Sequence, residues 1–389
     1  MASPRTPHRH AEALLVVALI TLAVAARVAG WRWRTPDMDI FLAWSRQLRH
    51  VEGGRQIGAE VGNYNAPFVY LLVVLTHLPG PLMIKLKATF VLFDVVLAFF
   101  AYRIVGLRFA GFRRPMAAAL VVVLLPTVVI NASLWGQMDA MWAAFAVGAV
   151  YFLRLERHGP AVAMCAVSLA VKPQGIFLFP LLLLLALAGR LRWRTVLTAP
   201  AVLLALDLPA LIAGRDPVEL FTIYGLDRQG SHVATLTVNA PSVYAFIAGA
   251  PNAGPLRILG YLFAATAILL LSYILIFREI EVLSAATLFA LLVPFTLPGM
   301  HERYFFLADV LTVILAFHHR RLWPVPLLVQ AASLLSYERY LLGAPAVPLV
   351  VPATLMAAAL VMVARHTAAT ATVSRPSAAR PAPLPARPV

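Results

Sequence analysis

Two carboxylates, Asp37 and Asp39, stand seven and five residues ahead of Trp44 in the segment WRWRTPDMDIFLAW. The segment is a polar interruption between strongly apolar runs. An aspartate so placed can take the proton from an attacking hydroxyl, a role worth roughly a hundred- to ten-thousand-fold in rate. Asp39 reads as its helper or as an acceptor-binding group. The same Asp-x-Asp pair is the one place in the chain where Mg²⁺ or Mn²⁺ binding reads from spacing; metal independence is the expectation.

Other chemistry-bearing residues also fall between apolar runs. Asn63, Tyr64 and Asn65 precede the apolar stretch from Pro67 to Pro79. WGQMDAMW places Gln137 and Asp139 where one run turns into the next, an amide and a carboxylate suited to a hydroxyl-rich ligand or to capping the following helix. In AVKPQGIF, Lys172 sits in so apolar a context that it needs an anionic ligand or a carboxylate partner. Pro173 and Gly175 break the helix beside it. Arg228 lies in a long polar loop, and His301, Glu302 and Arg303 form a compact triplet after Pro298 and Gly299. Glu302 can orient His301 or pair with Arg303, leaving the other free for phosphate. The triplet lacks the helical His-Glu-x-x-His spacing of a metal site.

The elements that must position these groups are membrane helices. Of 389 residues, 61% are hydrophobic and 13% charged, against about 45–50% and 25% in soluble domains. The net charge of +15 comes in short basic clusters between apolar runs, the pattern of cytoplasmic loops, and no nucleic-acid partner is expected. The single cysteine, Cys165, excludes an internal disulfide. Residues 11–28 read as an uncleaved first span, because Arg27 sits awkwardly for a signal peptide. Ile40, Phe41, Trp44 and Leu48 share one face of an amphipathic helix lying on the membrane, and Pro67–Pro79 is too short to cross. Counting on, about twelve spans place nearly every Arg cluster on one side. The expected organisation is an all-α polytopic membrane protein. It has a cytoplasmic N-terminal tail (1–10) and a transmembrane domain (11–365), with outer loops at 31–82 and 214–255. A disordered basic tail (366–389) follows, with both termini in the cytoplasm.

In this order the motifs resemble those of the glycosyltransferase C superfamily, most closely the dolichyl- or polyprenyl-phosphate-glucose-type glucosyltransferases of N-glycan precursor assembly and their prokaryotic relatives. The likeness is carried by Asp37 and Asp39 before Trp44, Asn63-Tyr64-Asn65-Ala66-Pro67, Gln137 with Asp139, Lys172 with Gln174, Arg228-Gln229-Gly230 and His301-Glu302-Arg303. The family's histidine before Phe-Gln is absent here, and Arg303 replaces its lysine.

The resemblance implies an inverting transferase that moves one hexose or pentose (mannose, glucose or arabinose) from a polyprenyl-phosphate sugar to a glycan, glycolipid or protein acceptor. Asp37 and Asp39 would be catalytic, and the site would face outward across the membrane, the plasma membrane in a prokaryote. Arg303, His301, Arg228 and Lys172 would clamp the donor phosphate. Trp44, Asn63, Tyr64, Asn65, Gln137, Asp139 and Glu302 would contact sugar or acceptor. No cofactor is expected. Two other classes fit the same residues, a transporter or flippase of a lipid-linked sugar and a non-catalytic assembly subunit. A transporter would place polar groups near the midplane with access from both sides, and the midspan acids are few, Asp94, Asp207 and Asp309.

Overall fold

The computed structural model describes residues 6–51, 55–225, 235–247 and 253–373. Of the described residues 78% are helical, and the strands among them are two-residue ladders. Helix α1 (Thr6–Gly30) leads into the short α2 (Pro36–Arg49) and α3 (Ala66–His77), then into the long α4 (Leu82–Gly106). A bent element follows, made of α5 (Arg113–Leu124), α6 (Pro126–Val129) and a π turn at Ile130–Trp135. Its halves meet at 51°, because Pro126 lacks an amide hydrogen and Leu125 before it is extended. Next come α7 (Asp139–Arg154), α8 (His158–Val171), a 3₁₀ turn at Pro173–Leu178 and α9 (Phe179–Leu187). The chain continues through α10 (Trp193–Val196), α11 (Thr198–Ile212) and α12 (Pro217–Thr222) to α13 (Ala253–Ile276). It closes with α14 (Val282–Thr296), α15 (Phe306–His318), α16 (Pro324–Leu341) and α17 (Val350–Thr370).

The protein is an integral membrane protein of the all-α class. Among the described residues five helical stretches are long and apolar enough to cross a bilayer: His10–Gly30, Leu82–Gly106, Trp193–Ile212, Gly254–Ile276 and Val350–Thr370, with the bent element making a sixth if it is one span. The remaining runs expected to span are shorter helices. Burial explains their length. Helix α7 has 16 residues, about 24 Å, against a hydrocarbon core of about 30 Å. It is buried along nearly its whole surface, as are α14 and α15. A helix packed inside a bundle does not have to match the bilayer.

Arg27, awkward in a signal peptide, proves to anchor the first helix. Its guanidinium bonds Asp94 Oδ2 on α4 at 2.8 and 3.1 Å and the Val123 carbonyl at 2.9 Å. Asp309 is bonded by Ser333 at 2.9 Å, so these midspan acids serve packing between helices. The structure departs from expectation in three further places. The amphipathic helix starts at Pro36 and buries Met38, Phe41, Ser45 and Leu48, whereas Ile40 is exposed. Helix α17 runs on to Thr370, and Thr372–Val373 pair with Arg278–Glu279, so ordered structure extends past residue 365. Helix α1 likewise begins at Thr6, inside the expected N-terminal tail.

Candidate active site

The site is built on the first turn of α2. Pro36 at the helix start and the Thr35 cap set that turn, with Thr35 Oγ1 accepting from the Met38 amide at 3.3 Å. The same hydroxyl donates to the Trp135 carbonyl at 2.7 Å, tying α2 to the turn after the bent element. Lys87 of α4 secures the junction by donating to the carbonyls of Gly30 (2.9 Å) and Trp33 (2.5 Å). Gly136 has φ +74°, a conformation that favours glycine, and a Cβ there would run into Met38 Cε. The turn can therefore press directly against α2.

This seam places two donors on one oxygen. Trp135 Nε1 and Gln137 Nε2 each donate to Asp37 Oδ2 at 2.7 Å. Arg303 Nη1 lies 3.7 Å from the same oxygen, and Tyr340 also hydrogen-bonds the carboxylate. Burial pushes the Asp37 carboxyl up, but the Arg303 guanidinium and the bonds from Gln137, Trp135 and Tyr340 outweigh it and hold the group below the usual aspartate value. Asp37 is thus a preorganised carboxylate.

Gln137 links this group to a second ion pair. Its Oε1 accepts from Lys172 Nζ at 3.4 Å, and Lys172 bonds Asp139 Oδ1. Both partners are buried, and Asp139 also accepts from Trp142 Nε1 (3.0 Å) and Asn131 Nδ2 (2.7 Å). The partner foreseen for Lys172 is therefore a carboxylate from the WGQMDAMW turn. The expected helix break is present, with Lys172 extended at φ −156°.

Arg303 joins the groups. It bonds Glu302 Oε1 at 3.0 Å and lies 3.9 Å from Asp139 Oδ2, with its plane over the rings of Trp135 (5.3 Å) and Tyr304 (5.8 Å). Its Nε is buried and makes no hydrogen bond among the described residues. The His301 segment is fixed by a parallel ladder between Thr237–Val238 and Met300–His301. His301 Nδ1 lies 3.8 Å from Glu302 Oε2.

Beside Arg303 opens a cavity of about 280 Å³, at the small end for ligand sites. Asn63, Tyr64, Gln174, His301, Arg303 and Tyr304 are on its wall, with Tyr224 and Tyr261. Tyr64 lies 5.9 Å from Lys172 Nζ. Asn65 caps α3 through Oδ1 to the Ala66 amide (2.8 Å), and its own amide donates to Tyr224, whose hydroxyl reaches the Ala170 carbonyl.

The structure thus brings together Asp37, Gln137, Asp139, Lys172, His301, Glu302, Arg303, Asn63 and Tyr64. It does not bring Asp39 to them, and Trp44 meets them by packing against Tyr64. Asp39 pairs with Arg34 on a half-exposed surface. It lies two positions from Asp37, and residues two apart on a helix do not share a face. Trp44 packs edge-on to Tyr64 and Phe68 and against Gly62. Glu302 is fully buried and holds Arg303 rather than lining the cavity. Arg228 lies outside the described residues. Sequence reasoning passed over Lys87 and Tyr340. Lys87, like Lys172, is a lysine in an apolar run and is legible from the same cost of charge in lipid; Tyr340 carried no signal.

The model of glycosyltransferase family 87 matches residues 63–296. A comparison with curated proteins finds no match. The matched stretch contains Gln137, Asp139 and Lys172, while Asp37 and Arg303 flank it on either side.

Proposed function

The chain belongs to glycosyltransferase family 87, and we propose that it transfers one sugar from a polyprenyl-phosphate donor to an acceptor hydroxyl, with inversion and with Asp37 as general base. The observation that carries this reading is the shared guanidinium. Arg303 contacts Asp37 on one side and borders the cavity on the other. The acceptor oxygen attacks the anomeric carbon from the face opposite the phosphate as Asp37 takes its proton. The bond from that carbon to the phosphate oxygen breaks, and polyprenyl phosphate leaves as an anion. A phosphate monoester needs cationic clamps more than a general acid. Arg303 and His301 border the cavity to supply them, with Lys172 behind Tyr64 and Arg228 as a further candidate.

A carboxylate held below its ordinary pKa is a weak base at rest. Donor binding corrects this. When Arg303 turns toward the incoming phosphate, Asp37 loses part of its counter-charge and becomes more basic. Basicity then rises only when the donor is present. The two acids of the Asp-x-Asp pair are held by different cations, Asp37 by Arg303 and Asp39 by Arg34, which supports a metal-free reaction. The basic clusters favour about twelve membrane passages, cytoplasmic termini and a site on the extracytoplasmic face.

The test is turnover in proteoliposomes with polyprenyl-phosphate mannose, glucose, arabinose and galactose, following release of polyprenyl phosphate. One donor should be consumed, and Asp37→Asn should abolish its consumption while donor binding survives. Transport of labelled lipid across the bilayer without donor consumption would replace this reading with a flippase.

A further inference from the structure

We propose that the basic cavity at the opposite end of the bundle from Asp37 is a second ligand site, one that takes a phosphate-bearing anion. The cavity measures about 770 Å³. Three segments distant in sequence converge on it. Arg108 comes from the connection between α4 and α5 and Arg114 from the first turn of α5, Arg320 and Arg321 from the turn between α15 and α16, and His366 from α17.

The pattern of partners distinguishes these arginines from the rest of that end. Arg113 pairs with Glu12, Arg154 with Glu281, and Arg190 donates to the Ile280 carbonyl at 3.2 Å. Among the described residues Arg108, Arg114, Arg320 and Arg321 have no ion pair, and no carboxylate lines the cavity. Two are braced instead. Arg114 lies 4.5 Å and Arg108 5.6 Å from the centre of the Phe109 ring. Phe317 and Trp323, 5.2 Å apart, add an apolar wall.

Guanidiniums gathered in one concavity with apolar walls focus a positive field. Their forked donors match phosphate oxygens two at a time. Basic pockets between membrane helices suit lipid head groups for the same reason. A cation site is the competing use of this end. Glu281, His319 and His366 each offer a ligand atom within 4.8 Å of the others. However, Glu281 is already engaged by Arg154 at 3.2 Å and by His319 at 2.8 Å. The four neighbouring guanidiniums also oppose a dication. The charge balance selects an anion.

The test uses the full-length protein in nanodiscs. Two probes distinguish the source of the phosphate. One is a diphosphate phospholipid set against phosphatidylcholine, read by native mass spectrometry. The other is inorganic pyrophosphate, read by thermal shift and calorimetry. Neutralising Arg320→Gln with Arg321→Gln, or Arg108→Gln with Arg114→Gln, should weaken binding roughly tenfold or more. All four are exposed, so these variants fold. Arg192→Gln with Arg194→Gln, exposed at the same end but outside the cavity, should leave affinity unchanged. Binding of the lipid alone identifies a head-group site, and binding of pyrophosphate a soluble-anion site; either supports the proposal. An equal loss in the Arg192 and Arg194 control, or no binding of either probe, overturns it. So does tight binding of Zn²⁺ that depends on His319 and His366 in place of anion binding.

Discussion

The guanidinium of Arg303 lies 3.7 Å from Asp37 Oδ2, closer than its 3.9 Å approach to Asp139 Oδ2 but beyond hydrogen-bond length. That spacing is an attraction without a lock. The arginine stabilises the Asp37 carboxylate while keeping a buried donor uncommitted. Charge near the candidate base thus depends on what else Arg303 touches.

The pH profile should report this coupling. Asp37 is held below its ordinary value of 3.8, with Arg303 the largest lowering influence. Its charge therefore contributes stability above that value and loses it as pH falls through the depressed one. The acid limb of turnover in the free enzyme should therefore lie below the ordinary aspartate value. Arg303→Gln should move that limb to higher pH and lower turnover at least a hundredfold. An acid limb unmoved by Arg303→Gln would show that the two groups are not coupled.

The two aspartates of the opening segment should separate cleanly. Asp37→Asn should cost about 10²- to 10⁴-fold in turnover with donor affinity retained. Asp39→Asn removes a half-exposed pair with Arg34, worth at most about 1 kcal/mol, and turnover should stay within a few-fold of native. Equal losses in both variants, together with inhibition by chelators, would make the pair a metal site.

Breaking the Lys172–Asp139 pair should be felt first as instability. Both side chains are at most 1% exposed. Removing one partner strands a buried charge at a cost of about 3–5 kcal/mol. Lys172→Met and Asp139→Asn should each lower the melting temperature sharply in detergent. The double variant should lose less than the two single losses combined. Additive losses would mean that the ion pair is not the coupled unit seen here.

Gly136→Ala should act at a distance of one residue. The added methyl meets Met38 Cε and strains a φ of +74°. Gln137 and Trp135 then shift from Asp37. Turnover should fall tenfold or more while tryptophan fluorescence reports an altered Trp135 environment. A native rate in Gly136→Ala would show that the Asp37 seating tolerates movement.

Much of this was written in local chemistry. Apolar runs, basic clusters and the break at Lys172–Pro173 place most helices, because burial of apolar length and the expense of charge in lipid act on each segment separately. Asp37, Lys172 and the His301–Arg303 triplet stand out for the same reason, as polar groups where polarity is costly. Which groups meet is a different matter. That Lys172 pairs with Asp139, that Arg303 reaches Asp37 across 266 positions of sequence, and that Trp135 serves Asp37 while Trp44 only packs all depend on helix rotation and on the seam at Gly136. Two aspartates two positions apart look equivalent in sequence; on a helix they face different neighbours, and only the packed bundle decides which one meets the arginine.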